Sequence, residues 1–243
     1  MHAAGRVVDE ALQAMKAAIV PDVTTTYELE QIAVDIMSKH GATSAFLGYA
    51  PHEHPPYPAW TCISVNEEVV HGIPGRRVLR GGDIVKCDVG VKLNGYYCDS
   101  AWTFSVGEVP APIERLMQVG REALGKGIAQ ARAGNRLGDI SHAIERHVVA
   151  NGYSVVREMV GHGVGRSLHE EPQVPNYGKR GSGPVLREGM TIAIEPMVNL
   201  GRHEIQALPD AWTIVTSDGK PSVHYEHTIA VMRNGSRILS QGD

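Results

Sequence analysis

Apolar residues recur three and four positions apart near the start of the chain. Between Thr25 and His40 this spacing predicts a helix, and Thr25 with Glu28 forms the Thr-x-x-Glu pattern of a helix start. Residues 1–20 mix charged and apolar positions in the same rhythm, which is typical of an amphipathic helix and not of a signal peptide. The pattern therefore predicts two helices before the first strand.

Shorter runs rich in β-branched residues follow these helices. Residues 63–70, 83–91 and 96–106 predict strands, and Lys92 to Gly95 predicts the turn of a hairpin that joins the last two strands. Residues 49–60 are rich in proline and histidine and predict a surface loop. This order of elements indicates an α/β protein.

The second half of the sequence repeats the organisation of the first. Helices predicted over residues 110–133 and 137–151 again precede short strands. Residues 79–88 and 186–195 share a Leu-Arg-x-Gly start, a strand-like run and an acid at the tenth position. A coincidence between two ordinary strands is the alternative, but two matched acid pairs in the same order favour a duplication.

The absence of a long linker between these halves indicates one domain. We expect an α/β (α+β) fold with a single domain over residues 1–243 and an internal pseudo-two-fold duplication. The two pseudo-halves are expected at about 1–108 and 109–243.

Composition narrows the possible function classes. With 42% hydrophobic and 21% charged residues, the chain is neither disordered nor fibrous. No apolar run approaches the roughly 18 residues of a membrane-spanning helix. A net charge of −4 without a basic cluster argues against nucleic acid as a main ligand. Three cysteines are too few for a disulfide framework, which favours a reducing, cytoplasmic location.

Four carboxylates occupy matched positions in or beside strand-like runs: Asp88, Asp99, Glu195 and Glu226. A buried carboxylate is unfavourable unless it is paired or binds a cation. A turn through residues 92–95 would place Asp88 directly opposite Asp99 on one face, and the pseudo-two-fold axis would bring Glu195 and Glu226 to the same place. Four acids around one point can hold two divalent metal ions. Salt bridges or strand-end carboxylates are the alternative for any single acid.

Three histidines accompany these acids. His162 lies in Gly161-His162-Gly163-Val164-Gly165, where flanking glycines leave room for a ligand or metal close to the backbone. The Gly-x-Gly-x-Gly pattern alone also suggests a phosphate loop, but the full nucleotide fingerprint is absent. His169 precedes Glu170-Glu171-Pro172, and His71 directly follows a predicted strand. Each histidine alone is more typical of a structural role, whereas four nearby acids favour a catalytic or metal-binding one.

The order and spacing of these motifs resemble the type 1 methionine aminopeptidases over nearly the whole chain. The resemblance implies the pita-bread fold, a duplicated α/β domain. It also implies a metal-dependent enzyme that removes the N-terminal methionine from nascent proteins and peptides when the second residue is small. The matching stretches are residues 62–74, Asp88 with Asp99, residues 161–165, residues 169–172, residues 194–197 and residues 225–228.

The resemblance also implies a role for each polar site residue. Asp99 and Glu226 would bridge two divalent ions. A ligand set of carboxylate oxygens and one imidazole fits Co, Mn, Fe(II) or Zn and does not distinguish among these metals. Glu195 would act as the general base for a water activated by the two metals, with His71 and His169 as further catalytic residues. His169 would contact the scissile carbonyl, and His71 the peptide nitrogen and second residue. The five implied metal ligands are Asp88, Asp99, His162, Glu195 and Glu226.

The methionine pocket follows from the resemblance alone. Phe46 stands where the family often has Cys, and Leu168 where it often has Phe, so we expect the pocket to be reshaped and retained. The substrate-binding residues implied are Phe46, Tyr49, Tyr57, Cys62, His71, Leu168, His169 and Trp212.

Two further features concern additional ions. Asn66, Glu68 and Ser222 match positions that hold a monovalent cation in relatives. Residues 50–56 form a loop several residues longer than is usual in the family, and we expect it to be a stiff rim loop. An accessory metal site at His52 and His54 is the alternative.

The expected partners are nascent polypeptide or peptide N-termini, with a transient ribosome contact, and the expected state is a monomer that binds no membrane. The nearest rival function is an Xaa-Pro dipeptidase or aminopeptidase P, which usually carries a large extra N-terminal domain and an Arg-x-Glu environment at the last ligand. A non-catalytic binding protein would have lost metal ligands. A closed structural metal site would not need His71 and His169 beside it.

Overall fold

Helices and antiparallel strands alternate along the chain in a mixed α/β fold, as the sequence predicts. The structure is a computed structural model and describes residues 1–51 and 54–242, so His52 lies outside the described residues. No helix in this part of the chain is both long and apolar enough to cross a membrane. The helices are α1 (His2–Ala17), α2 (Thr26–Lys39), α3 (Ala111–Ile128) and α4 (Leu137–Ala150).

The strands form four small sheets. The strands are β1 (Thr43–Ser44), β2 (Cys62–Val65), β3 (Glu68–Val70), β4 (Ile84–Leu93), β5 (Tyr96–Ser105), β6 (Ser154–Val155), β7 (Gly161–Gly163), β8 (Glu170–Val174), β9 (Thr191–Ile194), β10 (Met197–Asn199), β11 (Ile205–Ala207), β12 (Ile214–Thr216), β13 (Ser222–His224), β14 (His227–Met232) and β15 (Gly235–Ile238). One sheet joins β4 to β1, β2 and β5, and a second has the order β15-β14-β9-β7-β8. Within the described residues, β13-β10-β6 and β11-β12-β3 form the other two sheets.

Two apolar cores hold helix pairs against these sheets. Leu12 of α1 and Leu29 of α2 pack with Val89 of β4 in one core. In the other core, Ile140 of α4 packs with Ile192 of β9. Burial of each apolar helix face against a sheet is the main favourable contribution to such an arrangement. The strands between the two cores are thereby held rigidly, and the polar residues discussed below lie on them.

The hairpin of β4 and β5 differs from its prediction. Its turn contains two residues, Asn94 and Gly95, both with positive φ (51° and 78°). A two-residue turn of this kind matches the twist of paired strands, and Asn-Gly favours it. The ladder therefore pairs Asp88 with Ala101 and leaves Asp99 two positions further along. The prediction that the two acids lie directly opposite is wrong, since they are diagonal neighbours on one face.

Three other details differ from the predictions, two of them element boundaries and one the burial of a loop residue. The strand predicted over residues 63–70 is interrupted by a turn at Asn66, which has a left-handed φ of 54°. The third helix ends at Ile128, five residues before its predicted end at Ala133. In the predicted surface loop, Tyr57 is only 2% exposed because its ring enters an apolar cluster.

Candidate active site

All thirteen residues predicted as catalytic, substrate-binding or divalent-metal residues line one cavity of about 250 Å³. Asp88 and Asp99 project from β4 and β5, Glu195 directly follows β9, and Glu226 directly precedes β14. The last ladder pair of β9 and β14 joins Ile194 to His227, so Glu195 and Glu226 emerge from neighbouring strand ends. The lining residues that were predicted are Phe46, Tyr49, Tyr57, Cys62, His71, Asp88, Asp99, His162, Leu168, His169, Glu195, Trp212 and Glu226.

A buried acid–histidine cluster forms one end of this cavity. Ligand atoms of Asp99, His162 and Glu226 lie within 4.8 Å of one another. The Nε2 atom of His162 is 3.4 Å from Oδ2 of Asp99 and 3.6 Å from Oε1 of Glu195. Its Nδ1 is 2.9 Å from the carbonyl oxygen of Gly163, to which it donates. This hydrogen bond directs Nε2 toward the acids, as in histidines that bind metals.

Burial dominates the electrostatics of the cluster. For both Asp88 and Glu226, burial, followed by the negative charges of Asp99 and Glu195, raises the pKa well above the usual carboxyl value. Burial also opposes ionisation of Asp99, but its contacts with His162 and Thr228 lower its pKa. Burial opposes the charge on His162 too, yet Asp99 raises the pKa of that imidazole to about 9. The four acids therefore cannot all be ionised together without compensation, and an added cation would stabilise their charged forms.

The donor set fits divalent metal ions. Oxygen atoms of four acids and one imidazole nitrogen suit ions such as Mn, Fe(II), Co or Zn. The Oδ1 atom of Asp88 is buried and has no hydrogen-bond partner among the described residues. Since a buried polar atom without a partner is costly, this oxygen has the character of an unused ligand.

Two polar contacts of the cluster were not predicted. The hydroxyl of Thr228 donates to Oδ1 of Asp99 over 2.7 Å, which fixes that carboxylate. The buried His224 places Nε2 at 3.3 Å from Oε2 of Glu195. Both residues stand two positions from Glu226, one on each side. In an extended segment such alternate positions share a face. This spacing from Glu226 was the feature of the sequence that could have predicted both contacts.

The glycines beside His162 have a different role from the one predicted. A Cβ on Gly161 would lie 2.4 Å from the carbonyl oxygen of Ala193, and one on Gly163 would lie 2.3 Å from that of Glu171. Both contacts are with backbone of the neighbouring chain segments and not with open space. The expectation that these glycines leave room for a ligand is wrong, because they let β7 pack between β8 and β9.

Apolar and aromatic side chains form the other end of the cavity. The rings of Tyr57 and Trp212 meet edge to face with centroids 5.1 Å apart, beside Cys62. Such aromatic pairs have defined geometry and give a rigid slot. The ring of His54 lies 5.4 Å from that of Trp212, so this histidine contacts the slot. Lining residues that sequence reasoning missed are Pro51, Val70, Met159, Val160 and Met197.

His71 and His169 lie between the two ends. The Nδ1 atom of His169 is 2.6 Å from the hydroxyl oxygen of Tyr49, and its ring is 4.3 Å from that of His162. Burial, followed by the positive charge of His162, lowers the pKa of His169 to about 4. Burial likewise lowers the pKa of His71 to about 4. Both imidazoles are therefore neutral at pH 7 and can each donate one ring N–H.

The predicted monovalent cation position is taken by a side chain. The Nζ atom of Lys86 donates to the carbonyl oxygens of Asn66 and Ser222. The carboxylate of Glu68 is bound to the backbone N–H of Val65 and to Arg77. The two carbonyl oxygens and the Glu68 carboxylate are therefore already engaged by donors of the protein itself, and a monovalent ion at this position stays a prediction.

Comparison with known proteins agrees with this geometry. The sequence model of metallopeptidase family M24 matches residues 1–233. This chain belongs to metallopeptidase family M24. The methionine aminopeptidase of Clostridium perfringens is 49% identical over 240 residues, covering 99% of this chain and 94% of that protein. Methionine aminopeptidase 1 of Bacillus subtilis is 49% identical over 241 residues, covering 99% and 95%.

Solved structures confirm the M24 fold. The crystal structure of methionine aminopeptidase from Thermotoga maritima matches with a TM-score of 0.96 and 46% identity, covering 100% of this chain and 95% of that one. The prolidase from Pyrococcus furiosus matches with a TM-score of 0.79 but only 23% identity, and this chain covers 63% of it. That second likeness concerns the fold alone. The resemblance to methionine aminopeptidases read from the sequence is thus confirmed.

Proposed function

We propose that this M24 metallopeptidase is an aminopeptidase that removes N-terminal methionine from nascent proteins and peptides when the second residue is small. The observation that carries the proposal is a single cavity with a buried acid–histidine cluster at one end and an aromatic slot at the other. Methionine, which is flexible and polarizable, suits such a slot. Relatives that share 44–49% of their residues with the chain and bear the name methionine aminopeptidase support it.

The acids and His162 would hold two divalent metal ions. Asp99 and Glu226 would serve both ions, His162 and Glu195 would complete one site, and Asp88 the other. When bound, such ions lower the pKa of a coordinated water and polarise a carbonyl group. The hydrogen bond from Thr228 would keep Asp99 oriented for this role.

Glu195 would act as the general base. Its carboxylate is held on two sides, with Oε1 near His162 and Oε2 near His224. A carboxylate in a fixed position can accept a proton from the attacking water and later pass it to the leaving amine. His224, whose Nε2 lies 3.3 Å from Oε2, would help to hold that carboxylate in place through this contact.

His169 would stabilise the charge that develops on the carbonyl oxygen. Burial raises the pKa of Tyr49, so its phenol keeps its proton and can donate to Nδ1 of His169. The imidazole then carries its N–H on Nε2, where it can donate to the substrate oxygen. Donors of this kind contribute about 10²–10³-fold in rate.

His71 would set the preference for a small second residue. It adopts a left-handed backbone conformation with φ of 60°, and its ring meets Trp212 edge to face at 6.2 Å. A non-glycine residue at positive φ carries backbone strain, and such strain often clusters at functional sites. The ring would lie beside the scissile bond and restrict the space for a long second side chain.

Peptide hydrolysis with defined metal content tests the proposal. Protein stripped with chelator and reloaded with Co, Mn or Fe(II) should cleave Met-Ala-Ser, should fail with Met-Lys-Ser, and should cleave Leu-Ala-Ser weakly. The values of kcat/KM on these peptides and on Ala-Pro-Ser distinguish a methionine aminopeptidase from an Xaa-Pro peptidase. Faster cleavage of Ala-Pro-Ser than of Met-Ala-Ser would place the chain with the Xaa-Pro peptidases and overturn the proposal.

A further inference from the structure

Lys86 is a lysine in the interior of the protein, with only 1% of its surface exposed. Its Nζ atom lies 2.7 Å from the carbonyl oxygen of Asn66 and 3.0 Å from that of Ser222, and donates to both. Asn66 lies in the turn between β2 and β3, whereas Ser222 begins β13, 136 residues further along the chain than Lys86. One side chain thus joins the two cores of the fold.

The groups around Nζ are those that an alkali cation would use. Main-chain carbonyl oxygens that converge on one point are typical ligands for hard monovalent ions, and a lysine ammonium is a compact charge that competes for the same oxygens. The side chains of Asn66 and Ser222 bind Asp83 and Asn199 instead, over 2.8 and 2.7 Å. Only the two carbonyl oxygens of these residues therefore face Nζ.

The bridge lies beside the acid–histidine cluster along β4. Lys86 precedes Asp88 by two positions on β4, so both side chains leave the same face of the strand. Ser222 begins the strand that leads to Glu226. A second link runs from the neighbouring strand β5 to β13, because Thr103, which pairs with Lys86 in the ladder, donates its hydroxyl to the carbonyl oxygen of His224 over 2.8 Å.

We propose that the Lys86 side chain replaces a monovalent cation at this junction, so that the protein needs no sodium or potassium ion there, and that the bridge positions Asp88 relative to Glu226. Lys86 is a positioning residue, since it touches neither substrate nor the proposed metal ligands. The proposal extends the proposed function, and only its activity readout rests on that function.

The bridge does not depend on the charge of the amine. Burial lowers the pKa of Lys86 to about 7, and the carboxylates of Glu68 and Glu67 act in the opposite direction. A charged amine has three N–H donors and a neutral one has two. Either form satisfies both carbonyl oxygens.

The test compares monovalent salts at constant ionic strength. The kcat/KM for Met-Ala-Ser and the unfolding temperature Tm of the divalent-metal-loaded enzyme would be measured in potassium, sodium and choline chloride. Wild type should give the same values in all three. Lys86→Ala, which opens the space and frees both carbonyls, should lose about tenfold in kcat/KM in choline, as for other residues that orient metal ligands. Potassium or sodium should restore much of that activity and raise Tm, because an ion that binds only the folded state stabilises it.

Two further variants complete the design. Lys86→Met fills the space without donating a hydrogen bond, so its loss should not be restored by any of the salts. Lys92→Ala, on the same strand but at an exposed position, should match wild type. A wild type that needs potassium or sodium for activity or Tm would overturn the proposal. It would equally be overturned by a Lys86→Ala protein that is fully active in choline or is not restored by either ion.

The wild-type measurement decides the question even where Lys86→Ala does not fold. Tm also separates this proposal from the proposed function. Wild-type Tm that is independent of the salt, together with failure to cleave Met-Ala-Ser, would count against the peptidase proposal alone.

Discussion

The ring of Phe46 packs directly over the backbone of Gly90. A Cβ built on Gly90 would lie 2.6 Å from Cε1 and 2.7 Å from Cζ of Phe46. Gly90 pairs with Asp99 across the β4–β5 hairpin, so the ring covers the strand pair that carries the cluster. The bare glycine thus provides the space that the large ring of Phe46 needs.

The contact between Phe46 and Gly90 predicts that substitutions of these two residues have coupled effects on the methionine slot. Gly90→Ala should push the ring of Phe46 into the cavity and lower kcat/KM for Met-Ala-Ser about tenfold, since overpacking typically costs 1–3 kcal/mol. Phe46→Ala should remove most of that loss when combined with Gly90→Ala, which a double-mutant cycle measures. Gly125→Ala is the control, because a Cβ there meets nothing within 4 Å. Equal losses with and without Phe46 would contradict the contact.

A second prediction concerns the hydroxyl that holds Asp99. Thr228→Val keeps the shape of the side chain but removes the 2.7 Å hydrogen bond to Oδ1 of Asp99. Loss of a hydrogen bond to a metal ligand typically weakens metal affinity about 10–100-fold. Thr228→Ser retains the hydroxyl and should bind metal like wild type. Metal content after dialysis against graded chelator would measure both, and a Val variant with wild-type affinity would show that Thr228 does not support the site.

The pair formed by Tyr49 and His169 predicts an effect on rate alone. Tyr49→Phe removes the hydroxyl that lies 2.6 Å from Nδ1 of His169, so the imidazole is no longer held with its proton on Nε2. We expect kcat to fall about tenfold with unchanged metal content, and His169→Ala to lose about 10²–10³-fold. In the His169→Ala background, Tyr49→Phe should add nothing. An additional loss in the double variant would mean that Tyr49 acts independently of His169.

Local patterns were sufficient to predict the helices and the acids. The capping box of Thr25 and Glu28 is present at the start of α2, where each side chain accepts from the backbone of the other. The proposed relation between halves is supported by two matching bridges, in which the residues before α2 and α4, Thr25 and Arg136, pair with Val78 and Val185. The capping box depends on neighbours in sequence and can be read from it, whereas each bridge joins distant residues and is visible only in the fold.

Contacts between distant segments could not be read in this way. The register of the β4–β5 hairpin depended on a choice between a two-residue and a four-residue turn, which shifts the pairing by two positions. The role of Lys86 depended on Ser222, a residue with no recognisable link to it in sequence. A lone lysine within the apolar run Ile84 to Val91 was the available sign of a buried amine, although its partners could only come from the fold.

His71 provides a prediction about pH. Burial lowers its pKa to about 4, against the attraction of the Glu195 carboxylate, whereas an unfolded histidine titrates near 6.5. Between these values the unfolded chain binds a proton that folded His71 does not. The contribution of this group to stability is therefore fully present above about pH 6.5 and is lost progressively as the pH falls toward 4.

Replacing His71 should remove this part of the pH dependence. Asn tolerates the left-handed φ of 60° at this position, so His71→Asn is preferred to an alanine variant. Between pH 8 and pH 5, the free energy of unfolding of wild type should fall by roughly 1–2 kcal/mol more than that of His71→Asn. Denaturant titrations of both proteins at the two pH values measure this difference, and the comparison at pH 8, where the imidazole is neutral in both states, isolates lost packing. An identical decrease in both proteins would mean that His71 protonates as readily in the folded chain as in the unfolded one, and it would then not be the neutral donor that the proposed mechanism requires.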